Sequence, residues 1–556
     1  MRSRTSLFNR TVLKKNLIRF APAWGLYSLG LLMMLVTQIE VGRPTNFAAN
    51  MAYTLESMGV VNLGYALIVG LLLYGDLFNT RMCNALHALP LRRETWFATN
   101  LLSGLLFSLI PNGFITLLSM AVAIQGWAVF LLWLAVMTLQ YLFFFSVATL
   151  CAYITGHRFA MALIYGLVNF FSMIAYWLVT ILYIPLLYGV VPRDDFFSYL
   201  TPAVRMSQAD YLRVDTYAYE MSRVRGSVVF EIVEGWGYLA ICAAVAVGLL
   251  ALALRCYRKR DLEKAGDLVT VRGLGPVFLL VYTLCLGAFC HLIFNELFGY
   301  DSYLFLILGF GIGFFTGQML LKRTIRVFRW KNVGAFALFL AAFGLSFGLT
   351  WLDPLGISRY VPEADKVANV SINTGGAYYY QEDGTVWNDI RQIDEIRTVH
   401  RYAVENGPLA ENLQRVSVTL IYELKNGKTV TREYRVPIES EAGDILRKYV
   451  SSPEYVLGWA FTGDSMVTAI EFPDPYIRVT DPNQIKTFLD AVIADSSAGN
   501  LPQEWAYLKD AQVNWITLET VTSQGQRYYR DIRYSELAEN LLKWLVTNRI
   551  EQAKWE

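Results

Sequence analysis

Residues 75–94 read GDLFNTRMCNALHALPLRRE and lie between two long apolar runs. The stretch is too polar to lie in hydrocarbon, and its helical period separates an apolar side from a polar side. The apolar side contains Met82, Ala85, Leu86 and Leu89, and the polar side contains Thr80, Asn84 and His87. Asn79 or Thr80 can cap the start, and Pro90 ends the helix before Arg92 and Arg93. The pattern predicts a short amphipathic helix that lies flat at the inner membrane surface.

Two interpretations of this predicted helix remain open. A membrane protein that is driven by a separate motor needs a cytoplasmic helix on which the motor can act. An ordinary interfacial helix between two spans would show the same pattern.

The composition is that of a membrane protein with a water-soluble part. The chain has 556 residues, 55% of them hydrophobic, and a mean hydropathy of +0.36. Residues 1–352 carry 27 basic and 16 acidic side chains, whereas residues 353–556 carry 21 and 30. The basic residues are dispersed among loops between apolar runs rather than gathered on one face, so nucleic acid is not an expected partner.

Nine apolar runs are long enough to be transmembrane spans, which need about 20 residues. They cover 21–39, 57–77, 97–123, 128–154, 159–190, 234–254, 276–298, 302–321 and 333–352. With the N-terminus in the cytoplasm, the loops that carry most Lys and Arg also fall inside, in agreement with the positive-inside rule. An odd number of spans then places residues 353–556 outside the cell.

Polar and small residues mark three further sites. Gly309, Gly313 and Gly317 recur every fourth residue and predict close helix packing. His291 and Asn295 form an i,i+4 pair in the seventh span, for which a buried hydrogen bond between helices is favoured over a transport site. The outer segment 191–233 suits one or two short helices and ends near Glu231 and Glu234.

Residues 353–556 predict a folded α+β domain. Asn426-Gly427 indicates a hairpin, and Thr480-Asp481-Pro482 indicates a helix start. The motif Arg-x-Tyr-Arg followed by a serine at 432–440 recurs at 527–535, which predicts two repeats at about 361–455 and 456–550 with Ser440 and Ser535 as helix caps. All six cysteines lie before residue 353, so an outer domain without disulfides is expected, which weakly favours a bacterial surface.

Motifs for catalysis are not found in the sequence. Gly427-Lys428-Thr429 resembles the end of a Walker A loop, but Tyr422 stands where the first glycine should be. The four histidines occur in separate segments without a HExxH motif. The chain is therefore not expected to be an enzyme or to bind a metal or cofactor.

Two stretches resemble ABC transporter permeases of the type-2 exporter class. In ALALRCYRKRDLEKAGD (251–267), a tyrosine, a basic cluster, a Leu-Glu pair and a glycine follow the sixth span, as in that family. The stretch LHALPLRRE (86–94) resembles the family's loop after the second span, which carries the coupling helix. The resemblance covers about residues 1–267. Larger members with a C-terminal outer domain occur in Gram-positive bacteria, in operons that respond to cell-envelope stress or antibiotics.

The resemblance implies a domain organisation and a function. Residues 1–267 would be a six-span permease core, 268–352 three added spans, and 353–556 the extracellular domain. The chain would couple ATP hydrolysis on a cytoplasmic ABC ATPase, which holds ATP and Mg²⁺, to export of an amphipathic, lipid-like or peptide substrate. The implied ATPase contacts are Thr80, Arg81, Met82, Asn84, Leu86, His87, Leu89, Pro90, Arg92 and Arg93. The implied outer gate contains Pro202, Glu231 and Glu234.

The expected partners are the ATPase, a second permease copy or sister permease, and membrane lipids. The alternative function is a membrane-anchored surface sensor or ligand-sequestering protein that acts through the extracellular domain. Nine spans are more than an anchor requires, which ranks this alternative second.

Overall fold

The structure is a computed structural model, and its described part divides into two compact units. The first unit is formed by Met1–Ile181 and Arg193–Ala341, and the second by Leu182–Pro192 and Ala342–Glu556. The described residues are 8–39, 44–123, 126–192, 195–215, 229–233, 235–260, 274–299, 302–322, 324–374, 385–407, 414–458, 466–473, 476–502, 514–521 and 527–550.

Long apolar helices dominate the part of the chain before residue 353. In order, the helices there are α1 (Arg10–Arg19), α2 (Ala21–Gln38), α3 (Pro44–Leu73), α4 (Thr80–His87), α5 (Arg93–Val122), α6 (Trp127–Ile154), α7 (Arg158–Leu182), α8 (Asp195–Tyr199), α9 (Pro202–Gln208), α10 (Gly235–Lys259), α11 (Leu274–Phe298), α12 (Leu304–Lys322) and α13 (Trp330–Leu352). Among the described residues, eight helices are long and apolar enough to cross a membrane, which is consistent with a multi-pass membrane protein.

The first expected span differs from the other eight. Helix α2 has 18 residues, about 27 Å at 1.5 Å per residue, which is short for a hydrocarbon core of about 30 Å. It becomes a candidate span only together with α1, from which it is bent by 58°. Counting this pair as one span gives nine.

The core of the first unit is built around α6. Trp133, Phe144 and Phe145 on this helix are fully buried. A Cβ atom on Gly104 of α5 would lie 2.1 Å from the Phe145 ring, so the glycine allows the ring to rest on the α5 backbone. The Tyr141 hydroxyl donates to the Gly104 carbonyl at 2.9 Å.

The glycine stripe of the eighth candidate span packs as expected. A Cβ atom on Gly309 would lie 2.9 Å from the Cα atom of Gly287 on α11, and one on Gly313 would lie 3.0 Å from the Cα atom of Thr283. Backbones approach this closely only where side chains are absent. The prediction of close helix packing is confirmed.

The segment between α7 and α10 contains the short helices α8 and α9, together with a small sheet that the sequence did not indicate. Strands β1 (Leu212–Asp215) and β2 (Val229–Ile232) pair antiparallel. Helix α9 lies close to α3: a Cβ atom on Gly59 of α3 would lie 2.6 Å from Ser207 Oγ of α9.

The second unit contains two four-stranded antiparallel sheets, each packed with helices. The first sheet has the order β4-β3-β5-β6 and the second β8-β7-β9-β10. The first half consists of β3 (Val367–Asn373), β4 (Val386–Trp387), α14 (Ile390–Asn406), β5 (Arg415–Leu424), β6 (Thr429–Pro437), α15 (Glu441–Val450) and α16 (Pro453–Leu457). The second half consists of β7 (Met466–Pro473), β8 (Tyr476–Val479), α17 (Pro482–Ser497), β9 (Asn514–Val521), β10 (Arg527–Tyr534) and α18 (Glu539–Thr547).

Most of the turns and helix caps predicted for this domain are confirmed. Gly427 has φ +77° in the β5–β6 hairpin, a conformation that glycine adopts without strain. Asp481 caps α17, with Pro482 in its first turn. Ser440 caps α15 by accepting from the Gly443 amide at 3.1 Å.

The expected cap at Ser535 is wrong. The residue before α18 is Ala538, which cannot accept a hydrogen bond through its side chain. Asp495, near the end of α17, caps the helix instead by accepting from the amides of Asn540 and Leu541 at 3.1 and 2.7 Å. A carboxylate there also complements the helix dipole.

The Arg-x-Tyr-Arg match does not join equivalent positions of the two sheets. Tyr434 on β6 is buried, whereas Tyr529, its counterpart in the sequence match, is 52% exposed on β10. Successive residues of a strand face opposite sides, so the two tyrosines lie on different faces. The shared strand order, and not this motif, is the similarity between the two halves.

Candidate functional site

Helix α4 presents most of its surface to solvent. Asn79 caps it by accepting from the Arg81 amide at 3.0 Å, and not Thr80. The side chains of Thr80, Arg81, Met82, Asn84, Leu89, Pro90 and Arg92 are exposed. Met82 and Leu89 are 43% and 47% exposed, which is a high fraction for apolar side chains beside a packed bundle. The side chains of Leu86 and His87 lie outside the described residues.

Cys83 is the buried residue among the described side chains of α4. Cys83 is fully buried, and burial raises the pKa of its thiol although the positive charges of Arg260 and Arg93 act in the opposite direction. The sequence analysis placed Cys83 on neither face of the helix. The buried residue is therefore a small side chain that lies near two arginines.

Arg260 connects three parts of the first unit. Its guanidinium is buried and donates to the carbonyls of Ala152 and Tyr153 at the end of α6, at 2.7 and 3.3 Å. It also donates to the carbonyl of Leu77 at 3.3 Å, in the turn just before α4. Hydrogen bonds to a charged group contribute about 1.5–3 kcal/mol each, so this arginine fixes the base of α4 firmly.

Arg93 fixes the end of α10 in the same region. Its guanidinium donates to the carbonyls of Tyr257, Arg258 and Arg260 at 2.9, 3.0 and 3.0 Å. These carbonyls lie at the helix C-terminus, where a positive charge also complements the helix dipole. Glu94 forms a half-exposed ion pair with Arg258 at 3.0 Å.

These contacts join the helix ends that surround α4. Residue 93 begins α5, and Arg260 follows α10 and contacts the end of α6. The Tyr257 ring stacks on Tyr153 at 4.5 Å. Arg260 therefore links the turn before α4 to the end of α6, and Arg93 links the start of α5 to the end of α10. The remaining residues of the 251–267 motif, from 261 onward, lie outside the described residues.

A buried polar network lies among the apolar helices, and sequence analysis missed it. Asn62 Nδ2 donates to Gln140 Oε1 at 2.9 Å, and Asn62 Oδ1 accepts from the Tyr27 hydroxyl at 3.3 Å. Gln140 in turn donates to the Tyr211 hydroxyl at 3.3 Å and to the Met206 carbonyl at 3.4 Å. The signal was present, because Asn62 and Gln140 stand inside apolar runs. The network connects α3 and α6 to the segment that contains α9.

The expected outer-gate residues are only partly described. Pro202 is half-buried in the first turn of α9. Glu231 lies on β2, but its side chain falls outside the described residues, as does the whole of Glu234.

His291 and Asn295 have structural contacts. The Asn295 amide lies 3.1 Å from His291 Nδ1 within α11, and Asn295 Oδ1 accepts from the Ser302 amide at 3.4 Å. The His291 ring stacks on Tyr303 at 5.4 Å. This hydrogen bond lies within α11, whereas the sequence favoured a hydrogen bond between two helices.

In the second unit, the segment 182–192 pairs with β6. Val190 forms an antiparallel bridge with Arg432, and the Gly189 carbonyl accepts from the Glu433 amide at 3.0 Å. Gly189 has φ +75°, and a Cβ atom there would lie 2.0 Å from the Tyr434 ring. The segment follows α7 directly, so the fifth candidate span continues into a strand-like contact with the first sheet.

Behind this contact lies a buried histidine. The His400 ring lies 5.6 Å from the Tyr422 ring and 5.3 Å from the Tyr434 ring. Neither of its nitrogens has a hydrogen-bond partner among the residues that the structure describes. Burial, reinforced by the positive charges of Arg432 and Arg397, lowers the pKa of His400 from 6.5 to about 3.

The His400 pKa predicts acid sensitivity of the second unit. Between about pH 3 and 6.5 the unfolded chain binds a proton at this residue and the folded chain does not. The free energy of unfolding is therefore highest above pH 6.5. It decreases by up to about 1.4 kcal/mol per pH unit as the pH falls from 6.5 towards 3. We expect His400→Phe, which keeps a ring between the tyrosines, to show a smaller loss of melting temperature from pH 7 to 5.5.

The control for this measurement is His157→Gln, since His157 is exposed in the other unit. Thermal unfolding of the full chain in mild detergent at the two pH values gives the comparison. An unchanged pH dependence in His400→Phe would contradict the assignment.

No group of three or more His, Cys, Asp or Glu side chains that could hold a metal ion occurs in the described ranges. The contacts around α4 bring together residues from four helix ends, whereas Pro202 and the His291 pair lie on other helices. The chain matches no protein-family model, no curated protein and no solved structure in the comparisons made.

Proposed function

We propose that the chain is the membrane-spanning permease subunit of an ABC transporter of the type-2 exporter class. The observation that carries this proposal is α4, an exposed helix whose buried Cys83 lies near Arg93 and Arg260. A motor that pushes on such a helix would move the ends of several spans at once, because Arg93 and Arg260 connect those ends.

The proposal assigns a role to each contact. The exposed Met82 and Leu89 would enter an apolar pocket of a cytoplasmic ATPase, which would bind ATP and Mg²⁺. The tilt of α5, α6 and α10 would then change between inward-facing and outward-facing states. The network of Asn62, Gln140 and Tyr211 would transmit that change to the outer segment, since Gln140 contacts Met206 in α9 and Tyr211 just after it.

The topology and assembly follow from the same proposal. The α1–α2 pair would be the first of nine spans, with the basic loops inside and the second unit's sheets outside the cell. Two permeases, identical or related, would form a path near the first, second and fifth spans. An amphipathic, lipid-like or peptide substrate is proposed, because the apolar runs that would form the path are rich in aromatic residues.

We also propose that the two sheets of the second unit arose by duplication. The equivalent strand orders β4-β3-β5-β6 and β8-β7-β9-β10 support this origin. In each half, a helix follows the first strand pair and another follows the second pair.

A co-purification experiment tests the permease assignment. The tagged chain is purified from its host in mild detergent, with and without prior cross-linking, and the bound proteins are identified by mass spectrometry. A stoichiometric soluble ATPase is the expected result. Its absence from both preparations would overturn the assignment and favour a surface sensor or ligand-sequestering protein.

A further inference from the structure

A cavity of about 400 Å³ opens where three helices of the first unit end. Its walls are formed by the junction of α1 and α2, the end of α3 with the turn that follows it, and the first turn of α7. The lining combines the charged residues Arg19, Asp76 and Arg158 with apolar side chains such as Leu72 and Phe159. A binding site for a molecule that is charged at one end and apolar at the other would have this composition.

Arg158 supplies a positive charge that has no ion-pair partner among the described residues. A Cβ atom on Gly75 would lie 3.1 Å from Arg158 Nη2, so the guanidinium rests above a glycine and faces the cavity. No residue in the described ranges forms an ion pair or hydrogen bond with the Arg158 side chain. A guanidinium prefers planar, bidentate contact with carboxylate or phosphate oxygens.

The second arginine is only partly neutralised. Arg19 pairs with Asp76 at 3.3 Å, and its side chain remains 47% exposed. Its guanidinium also lies 5.0 Å from the centre of the Phe20 ring, which holds the charge beside the cavity. Two arginines and one aspartate leave the lining with a net positive charge, so an anion is the favoured ligand.

The apolar wall determines which anion fits. Phe159 and Leu72 are 56% and 37% exposed, and they belong to α7 and α3, which are apolar enough to cross a membrane. Both residues lie at the ends of those helices, where a span meets the head-group region of a bilayer. Basic pockets between spans at that depth bind phosphate groups of anionic lipids. A free phosphate ion would use the arginines but not the apolar wall.

We propose that this cavity binds an anionic phospholipid, with the lipid phosphate on Arg158 and Arg19 and an acyl chain along Leu72 and Phe159. The inference requires a membrane-embedded chain but not the transporter function. A lipid here would hold together the α1–α2 junction, α3 and α7. Such a lipid would stabilise the first unit wherever the membrane contains anionic head groups.

The test measures thermal unfolding of the full chain in neutral detergent. The probes are dioleoyl phosphatidylglycerol, dioleoyl phosphatidylcholine and millimolar sodium phosphate. We expect phosphatidylglycerol to raise the melting temperature more than either of the other two. In Arg158→Gln the concentration of phosphatidylglycerol needed for half of that increase should rise by about tenfold or more, because one charge-assisted contact is lost.

Two further variants keep the result decisive. Lys14→Gln removes an exposed positive charge of α1 outside the cavity lining, and it should respond to phosphatidylglycerol as the unmodified chain does. Arg158→Lys keeps the charge and should retain part of the response if Arg158→Gln fails to fold. An undiminished response in Arg158→Gln, or an equal loss in Lys14→Gln, would overturn the site. An equal effect of sodium phosphate would assign it to free anions instead.

Discussion

Met82→Asp is expected to weaken the binding of the ATPase subunit to the chain by about thirtyfold. Met82 is exposed in the isolated chain and, under the proposed function, becomes buried in the ATPase. Burial of a methionine side chain contributes about 2 kcal/mol, and about 1.4 kcal/mol corresponds to a factor of ten in affinity. The introduced carboxylate adds a desolvation cost to that loss.

The measurement is the amount of ATPase that co-purifies with each variant at equal amounts of the chain. Met82→Leu is the matched control, because it preserves an apolar side chain of similar volume and should retain binding. Leu89→Asp, on the same exposed surface, should behave like Met82→Asp. Membrane insertion should be normal in all three, since neither residue is part of the core. Normal ATPase binding in both aspartate variants would contradict the role of α4.

The sequence predicted features that depend on neighbouring residues. Apolar runs of about 20 residues indicated the spans, and the four-residue spacing of Gly309, Gly313 and Gly317 indicated close packing. The helix at 80–87 followed from its period and from Pro90, which ends it. The caps at Ser440 and Asp481 followed from the preferences of single residues.

Features that depend on distant residues could not be predicted in this way. Arg260 donates to Leu77, which lies 183 positions earlier, and nothing local to either residue indicates the contact. Ser535 has the pattern of a cap, but Asp495 reaches the same helix from α17 and occupies that role. Met82 has the pattern of an inward-facing apolar residue, yet the smaller Cys83 is the one that is buried.

The contact between segment 182–192 and β6 also depends on residues far apart in the sequence and could not be predicted from it. The sequence suggests only that the fifth apolar run is unusually long. In the structure its helix ends at Leu182, and the residues beyond it pair with Arg432 and Glu433. Tyr183 also lies 2.9 Å from Ser346 through their hydroxyl oxygens, which joins the start of this segment to the end of α13.

Gly189→Ala is expected to release the segment 182–192 from β6. Its φ of +75° costs an alanine about 1 kcal/mol, and the new Cβ atom would lie 2.0 Å from the Tyr434 ring. Because Tyr434 packs against His400 and Tyr188, its ring cannot move aside without disturbing the core. Overpacking of this kind costs about 1–3 kcal/mol, so the variant should lose a large part of a marginal stability.

Gly356→Ala separates the cost of the positive φ from the cost of the clash with Tyr434. Gly356 has φ +64° in the same unit, but a Cβ atom there meets nothing within 4 Å. It should therefore show the backbone cost alone, and the difference between the variants measures the clash with Tyr434. Limited proteolysis of the full chain should cleave near residues 182–192 faster in Gly189→Ala, and thermal unfolding should begin at a lower temperature. If the two variants were equally stable and equally resistant to cleavage, the close packing of Gly189 on Tyr434 would not be what holds segment 182–192 to β6.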